Sequence, residues 1–203
     1  MIAAVEHLGI RQVGFWIIVI GLSVGVVALV VLHLVGTGLA PLKNAVSQYG
    51  ISSYKTGYRA QTLAYATAGI GAAIGVASLR TTDVAFCGLC VIFAASRAVI
   101  SWFPMDEPGA DRTATGRRHG LLAFAAFAAA NVAAGSLPSV VRNNSGPSVA
   151  AHLSELAAIA MLASFLAMGA ARRSGGGLFG LAERSFYVFM TLWLVAVAIL
   201  LHP

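Results

Sequence analysis

Residues 13–35, VGFWIIVIGLSVGVVALVVLHLV, run for 23 positions without a formal charge. A helix needs about 20 such residues to cross about 30 Å of hydrocarbon. The core of a signal peptide is only about 7–15 residues long. Gly38-Leu39-Ala40 loosely mimics a small-residue cleavage site, but the segment reads as a retained first span. Five more predominantly apolar runs follow, at 58–79, 84–103, 119–137, 149–171 and 185–201. They are continuous, whereas the strands of a membrane barrel would alternate over about ten residues. The expectation is an all-α polytopic transmembrane bundle of six spans, with residues 1–203 forming a single integral membrane domain.

Composition points the same way. The chain is 59% hydrophobic and 10% charged, whereas soluble domains carry about 45–50% apolar and about 25% charged residues. A net charge of +6 could suggest nucleic acid. The basic residues sit in short loops, however, and form no stripe interleaved with aromatics, so nucleic acid is excluded as a partner. Cys87 and Cys90 share one apolar run and imply no disulfide scaffold.

Between the spans, Pro41, Pro104, Pro108, Pro138 and Pro147 are assigned to connections, where a missing N–H does little harm. Asp83 is a candidate cap for the third span, and Ser145 or Ser148 for the fifth. Ser174-Gly175-Gly176-Gly177 reads as a flexible turn. Gly21-x-x-x-Gly25, Gly71-x-x-x-Gly75 and the alanines at 123–130 let helix backbones approach closely. Trp16, Tyr58, Trp102 and Trp193 are read as interface anchors.

Orientation follows from Lys and Arg. Arg11, Arg80 and Arg142 lie on one side. Lys43, Lys55, Arg59, Arg112, Arg117, Arg118, Arg172, Arg173 and Arg184 lie on the other. The positive-inside rule puts the second set in the cytoplasm and both termini outside, in a multi-pass protein of the cell membrane.

The informative polar residues then gather at the basic pole: His33, Ser47, Gln48, Tyr49, Arg97, Asp106, Glu107, His119 and Arg184. Arg97 lies six residues, about 9 Å of helix, before the inner end of the third span. Helical side chains lean toward the N-terminus, so Arg97 leans away from its nearest interface. A charge there costs at least about 2.5 kcal/mol and calls for a buried partner, with Asp106 or a ligand anion as candidates.

His119 has open readings: a structural hydrogen bond, proton transfer, a two-histidine, one-carboxylate site with His33 and Asp106, or a base for Ser47. Cys87-Gly88-Leu89-Cys90 resembles the thiol pair of quinone-coupled oxidases. Without a second pair it reads better as packing. Asn131 is expected to bond across to another helix. His152 and Glu155 are spaced for a pair, and Asn143-Asn144-Ser145 fits a glycosylation sequon.

Several of these residues fall in a familiar order. Pro41-Leu42 with Ser47-x-Tyr49, Arg97 leading to Phe103-Pro104-x-Asp106, Thr115-Gly116 before His119, and Gly180-Leu181-x-Glu183-Arg184 span almost the whole chain. In these the chain resembles the domain-of-unknown-function 998 family, multi-pass membrane proteins found largely in bacteria and archaea. The resemblance implies a six-span fold and brings no established activity. His33, His152 and the cysteines stand outside its pattern.

The leading functional expectation is a site for membrane lipid or a small-molecule amphiphile at the cytoplasmic face. Arg97, Tyr49 and Arg184 are candidate substrate contacts. His119, Asp106 and Ser47 are candidate catalytic residues should the site hydrolyse or transfer a group. No metal site is assigned and no cofactor is specified. The first alternative is a non-catalytic assembly partner whose polar residues form a structural clasp. The second is a haem- or quinone-linked redox protein.

Overall fold

A bilayer offers the backbone no water, so each apolar run must satisfy its own N–H and C=O groups by coiling. A computed structural model of the chain describes residues 2–175 and 177–202, with side chains from residue 9 onward. Among them are six α-helices and no strand: α1 Ile2–Leu34, α2 Lys55–Ala77, α3 Val84–Val99, α4 Ala114–Asn143, α5 Ser148–Ser174 and α6 Phe179–Leu201. Two 3₁₀ turns, Val46–Ile51 and Ile100–Trp102, complete the order. Each of the six spans is long and apolar enough to cross a membrane, the third including the turn Ile100–Trp102. The protein is a polytopic helical bundle.

Several helices outrun the apolar stretches that announce them. α1 continues back through Arg11, whose guanidinium donates to the carbonyls of Leu201 and His202. The polar end of α1 is thus tied to the end of α6. Pro138 lies inside α4, not in a connection. Proline removes the hydrogen bond to the carbonyl four residues earlier, here that of Ala134. Ser154 of α5 donates to this carbonyl at 2.7 Å, so the helix passes through its proline with the freed group answered from next door.

Asp83 caps α3 as expected, accepting from Phe86 N at 2.9 Å. α5 differs: Ser148 is its first helical residue, Pro147 occupies the cap position without a side-chain bond, and Ser145 adopts φ +52° in the preceding turn. Of the Ser174–Gly177 turn, Gly176 lies outside the described residues.

Each helix packs on its sequence neighbours, and α6 closes the ring on α1 while also touching α2 and α4. Close packing of α1 on α2 depends on glycine. A Cβ on Gly14 would stand 2.6 Å from Gly75 Cα, and one on Gly21 would stand 2.7 Å from the Ala64 carbonyl. The small-residue motifs therefore join helices within one chain. Trp193 is fully buried on α6, edge-on to Phe86 and Phe93 of α3. It is a core residue and not an interface anchor, and Tyr58 is likewise buried, whereas Trp16 and Trp102 are exposed.

Candidate functional site

The polar residues of the basic pole form two clasps and, deeper in the bundle, a packed group around Arg97. The first clasp begins with the early start of α6, which places Gly180, Glu183 and Arg184 in its opening turns. The first N–H groups of a helix have no intrahelical acceptor; that of Leu181 donates to Leu42 O at 3.0 Å. Gly180 lets the carbonyls of Pro41 and Asn44 pass where a Cβ would collide with them. The Glu183 carboxylate, 5% exposed, accepts from Val46 N at 2.7 Å.

Arg184 Nε donates to His33 Nε2 at 2.5 Å, and Nη1 donates to Asn44 O at 2.7 Å and to Gly180 O at 3.1 Å. Its Nη2 reaches the Tyr49 hydroxyl at 3.4 Å. A guanidinium only donates, so His33 Nε2 holds the lone pair and Nδ1 carries the proton. That proton goes to Leu29 O, 2.5 Å away. Two adjacent residues of α6 thus hold the loop between α1 and α2.

The second clasp joins the end of α3 to the start of α4. His119 Nδ1 lies 2.7 Å from the Phe103 carbonyl, which leaves Nε2 of the neutral ring as the lone-pair nitrogen. Asp106 accepts from the Thr113 hydroxyl at 2.6 Å and from its N–H at 3.2 Å. Thr113 Oγ1 in turn caps α4 by accepting from Gly116 N at 3.0 Å. A Cβ on Gly116 would run into the Asp106 carboxylate. Ser47 Oγ donates to Met105 Sδ at 3.1 Å and so links the two clasps.

Arg97 is 1% exposed. Its Nη2 donates to Gln61 Oε1 at 2.9 Å, and its guanidinium carbon lies 5.2 Å from the Tyr187 ring centroid and 6.0 Å from that of Tyr65. Glu183 and Tyr58 lie within electrostatic reach. Among the described residues no carboxylate comes within 4.0 Å of the guanidinium, and Nε has no acceptor. The partner of Arg97 is Gln61 and not Asp106.

A family model described as "Protein of unknown function (DUF998)" matches residues 19–200. The chain belongs to the DUF998 family. No curated protein and no solved structure matches it. In this DUF998 chain, most residues that carried the resemblance bond one another or their near neighbours. Leu42 meets Leu181, Tyr49 meets Arg184, and Phe103 meets His119. Arg97 is the exception.

The structure therefore brings Tyr49 and Arg184 together, sets His119 and Asp106 on one clasp without a bond between them, and gives Ser47 a different partner from either. Gln61, Glu183, Tyr65 and Tyr187 are the residues that sequence reasoning passed over as site members. The signal for the α2 members was present: Tyr58, Gln61 and Tyr65 at i, i+3 and i+7 lie along one helical face.

Elsewhere, Asn131 Nδ2 crosses to Ala158 O at 2.8 Å, as expected. Cys90 is buried and Cys87 points at the Ala73 carbonyl, both as free thiols. Among the described residues no group of three or more His, Cys, Asp or Glu is placed to hold a metal ion. Two grooves indent the surface away from Arg97: one between α1 and α6, lined by Phe15, Leu22 and Ala198, and one between α4 and α5, lined by Asn131, Gly135 and Leu162.

Proposed function

We propose that this DUF998 protein resides in the cell membrane and binds an anionic lipid or small amphiphile at its basic pole, with Arg97 as the charge that attracts it. One observation carries the reading: a permanent cation is buried in a membrane-spanning bundle with an amide and two rings for company and, among the described residues, no ion-pair partner. Intramembrane charges that serve only the fold are ordinarily paired. Tyr49 and Arg184 take part as the frame of the loop that borders the site. His119, with its lone pair on Nε2, remains the candidate base should the site be catalytic. Asp106 and Ser47 then act as wall residues, since both hold loops in place.

The test is native mass spectrometry of the purified protein. Wild type is expected to carry an anionic amphiphile that Arg97→Gln loses while its melting temperature stays close to wild type. A variant that keeps the same lipid complement defeats the reading.

A second reading, a structural clasp in a membrane assembly partner, draws on the contact of the guanidinium with Tyr65 and Tyr187. Cation–π contacts contribute about 2 kcal/mol or more when desolvated. A large fall in the stability of Arg97→Gln with no change in bound lipid would favour it.

We also propose that the loops between α1 and α2, α3 and α4, and α5 and α6 face the cytoplasm, from the Lys and Arg distribution. A reporter placed in the 172–177 loop should then be cytoplasmic and one at the C-terminus external. The reverse result would overturn the orientation.

A further inference from the structure

Among the described residues, four buried side-chain groups that can donate have no partner, Trp193 Nε1, Ser101 Oγ, Arg97 Nε and Gln61 Nε2, and the last two sit on one bonded pair. Arg97 Nε and Gln61 Nε2 are both buried and make no hydrogen bond, although the same two side chains bond each other through Nη2 and Oε1 at 2.9 Å. Turning the Gln61 amide over gives no relief. Its NH₂ would then face a guanidinium, which also only donates. Arg97 therefore fixes which end of Gln61 is left over, and that end is a donor. An unanswered buried donor costs about 1–3 kcal/mol, so two of them on one bonded pair are an unfilled demand for acceptor atoms.

Tyr187 interacts with the Arg97 guanidinium but leaves Nε without an acceptor, and the other neighbours are engaged elsewhere. The Tyr65 hydroxyl is engaged with Thr191 Oγ1 at 2.9 Å, and Glu183 is committed to Val46 N. Arg97 and Arg184 both lie within electrostatic reach of the Glu183 carboxyl group, so positive charge outweighs negative in this part of the bundle. An anionic group with two acceptor oxygens would answer both donors and offset the positive charge.

We propose that Arg97 Nε and Gln61 Nε2 are the donors of an oxyanion site, filled by the carboxylate of a fatty acid or the phosphodiester of a lipid headgroup. The proposal rests on the amphiphile-binding reading above and names the group by which the amphiphile is held. The turn Val46–Ile51 packs on neighbours of Arg97. Val46 N donates to Glu183, and Gly50 lies against the Tyr58 ring. Gln48 of the same turn is buried with its own Oε1 unbonded.

The experiment uses the full chain in dodecyl maltoside, whose headgroup has no oxyanion. Oleate, dioleoyl phosphatidylglycerol, inorganic phosphate and oleyl alcohol are titrated separately, with affinity read from thermal shift. At least one of the first three should bind at least tenfold more tightly than oleyl alcohol. The one that does so identifies the source as a carboxylate, a phosphodiester or a free anion.

Gln61→Glu is nearly isosteric, turns the free donor into an acceptor and gives Arg97 an internal partner. It should melt higher than wild type and bind the oxyanion at least tenfold more weakly. Arg97→Lys, which removes Nε–H and keeps the charge, should weaken binding similarly and carries the test if Gln61→Glu does not fold. Equal affinity for oleate and oleyl alcohol, unchanged in both variants, would overturn the oxyanion site and leave amphiphile binding standing. No binding of any probe would overturn both.

Discussion

Arg184 and Arg97 belong to the same pole of the bundle and have opposite surroundings. Arg184 spends its donors on His33, Asn44, Gly180 and Tyr49, and each bond joins α6 to a neighbouring segment or to its own first turn. Arg97 donates to Gln61, meets Tyr187 and Tyr65, and keeps Nε unused. The first is a fastening whose geometry is complete without any other molecule. The second is a charge whose geometry is incomplete. On the proposed reading, being buried and basic is not what separates a structural arginine from a ligand-binding one. The difference lies in whether its donors are answered.

The strongest way to break this comparison is to remove each arginine in turn. Arg184→Met leaves His33 Nε2 and the Asn44 carbonyl without their donor. Hydrogen bonds to charged groups contribute about 1.5–3 kcal/mol each, so a loss of about 3 kcal/mol is expected in denaturant titrations. Hydrogen exchange should rise across residues 41–51. Arg97→Gln removes an unpaired buried charge and should cost no more than about 1 kcal/mol, since neutral replacements of buried ions are often tolerated. If Arg97→Gln proves the costlier of the two, the contrast fails and Arg97 is a fastening as well.

The second clasp sharpens the same contrast through its glycine. Gly116→Ala forces a methyl group into the Asp106 carboxylate that holds Thr113. Overpacking of this kind costs about 1–3 kcal/mol. Gly120→Ala, four residues on with nothing within 4 Å, should be neutral or slightly stabilising, because alanine is favoured over glycine by about 1 kcal/mol in a helix. Melting temperatures of the two variants check both expectations. Equal effects would mean that the Asp106–Thr113 cap is not under the constraint described.

The same contrast explains what could be read in advance. Long apolar runs fix spans through the backbone's own need for hydrogen bonds, so all six helices were legible. Arg97 was legible as a burial problem because an arginine stands out in an apolar run. Its partner was not, because Gln61 is a neutral residue in α2, the least apolar and most buried span, where any of several polar side chains could have faced inward. Glu183 was visible only as a member of a motif; its bond to Val46 spans 137 positions, and no local pattern carries that information. Pro138 was misplaced for a related reason. Its tolerance inside α4 depends on Ser154, a residue of another helix.

That last dependence gives the smallest expected effect and a clean calibration of what an answered group is worth in this bundle. Ser154→Ala should leave the Ala134 carbonyl without a donor, since Pro138 has no N–H to offer. Interhelical hydrogen bonds in membranes average about 0.6 kcal/mol and reach about 1.7, so a loss of about 1 kcal/mol is expected. Pro138→Ala supplies the missing N–H from within α4 and makes Ser154 redundant at that carbonyl. In the Pro138→Ala background, Ser154→Ala should therefore cost clearly less than it does alone. The measurement is a double-mutant cycle on unfolding free energies. Additive effects would show that the serine contributes packing and not an acceptor's partner, and would lower the value assigned to unanswered donors such as Arg97 Nε.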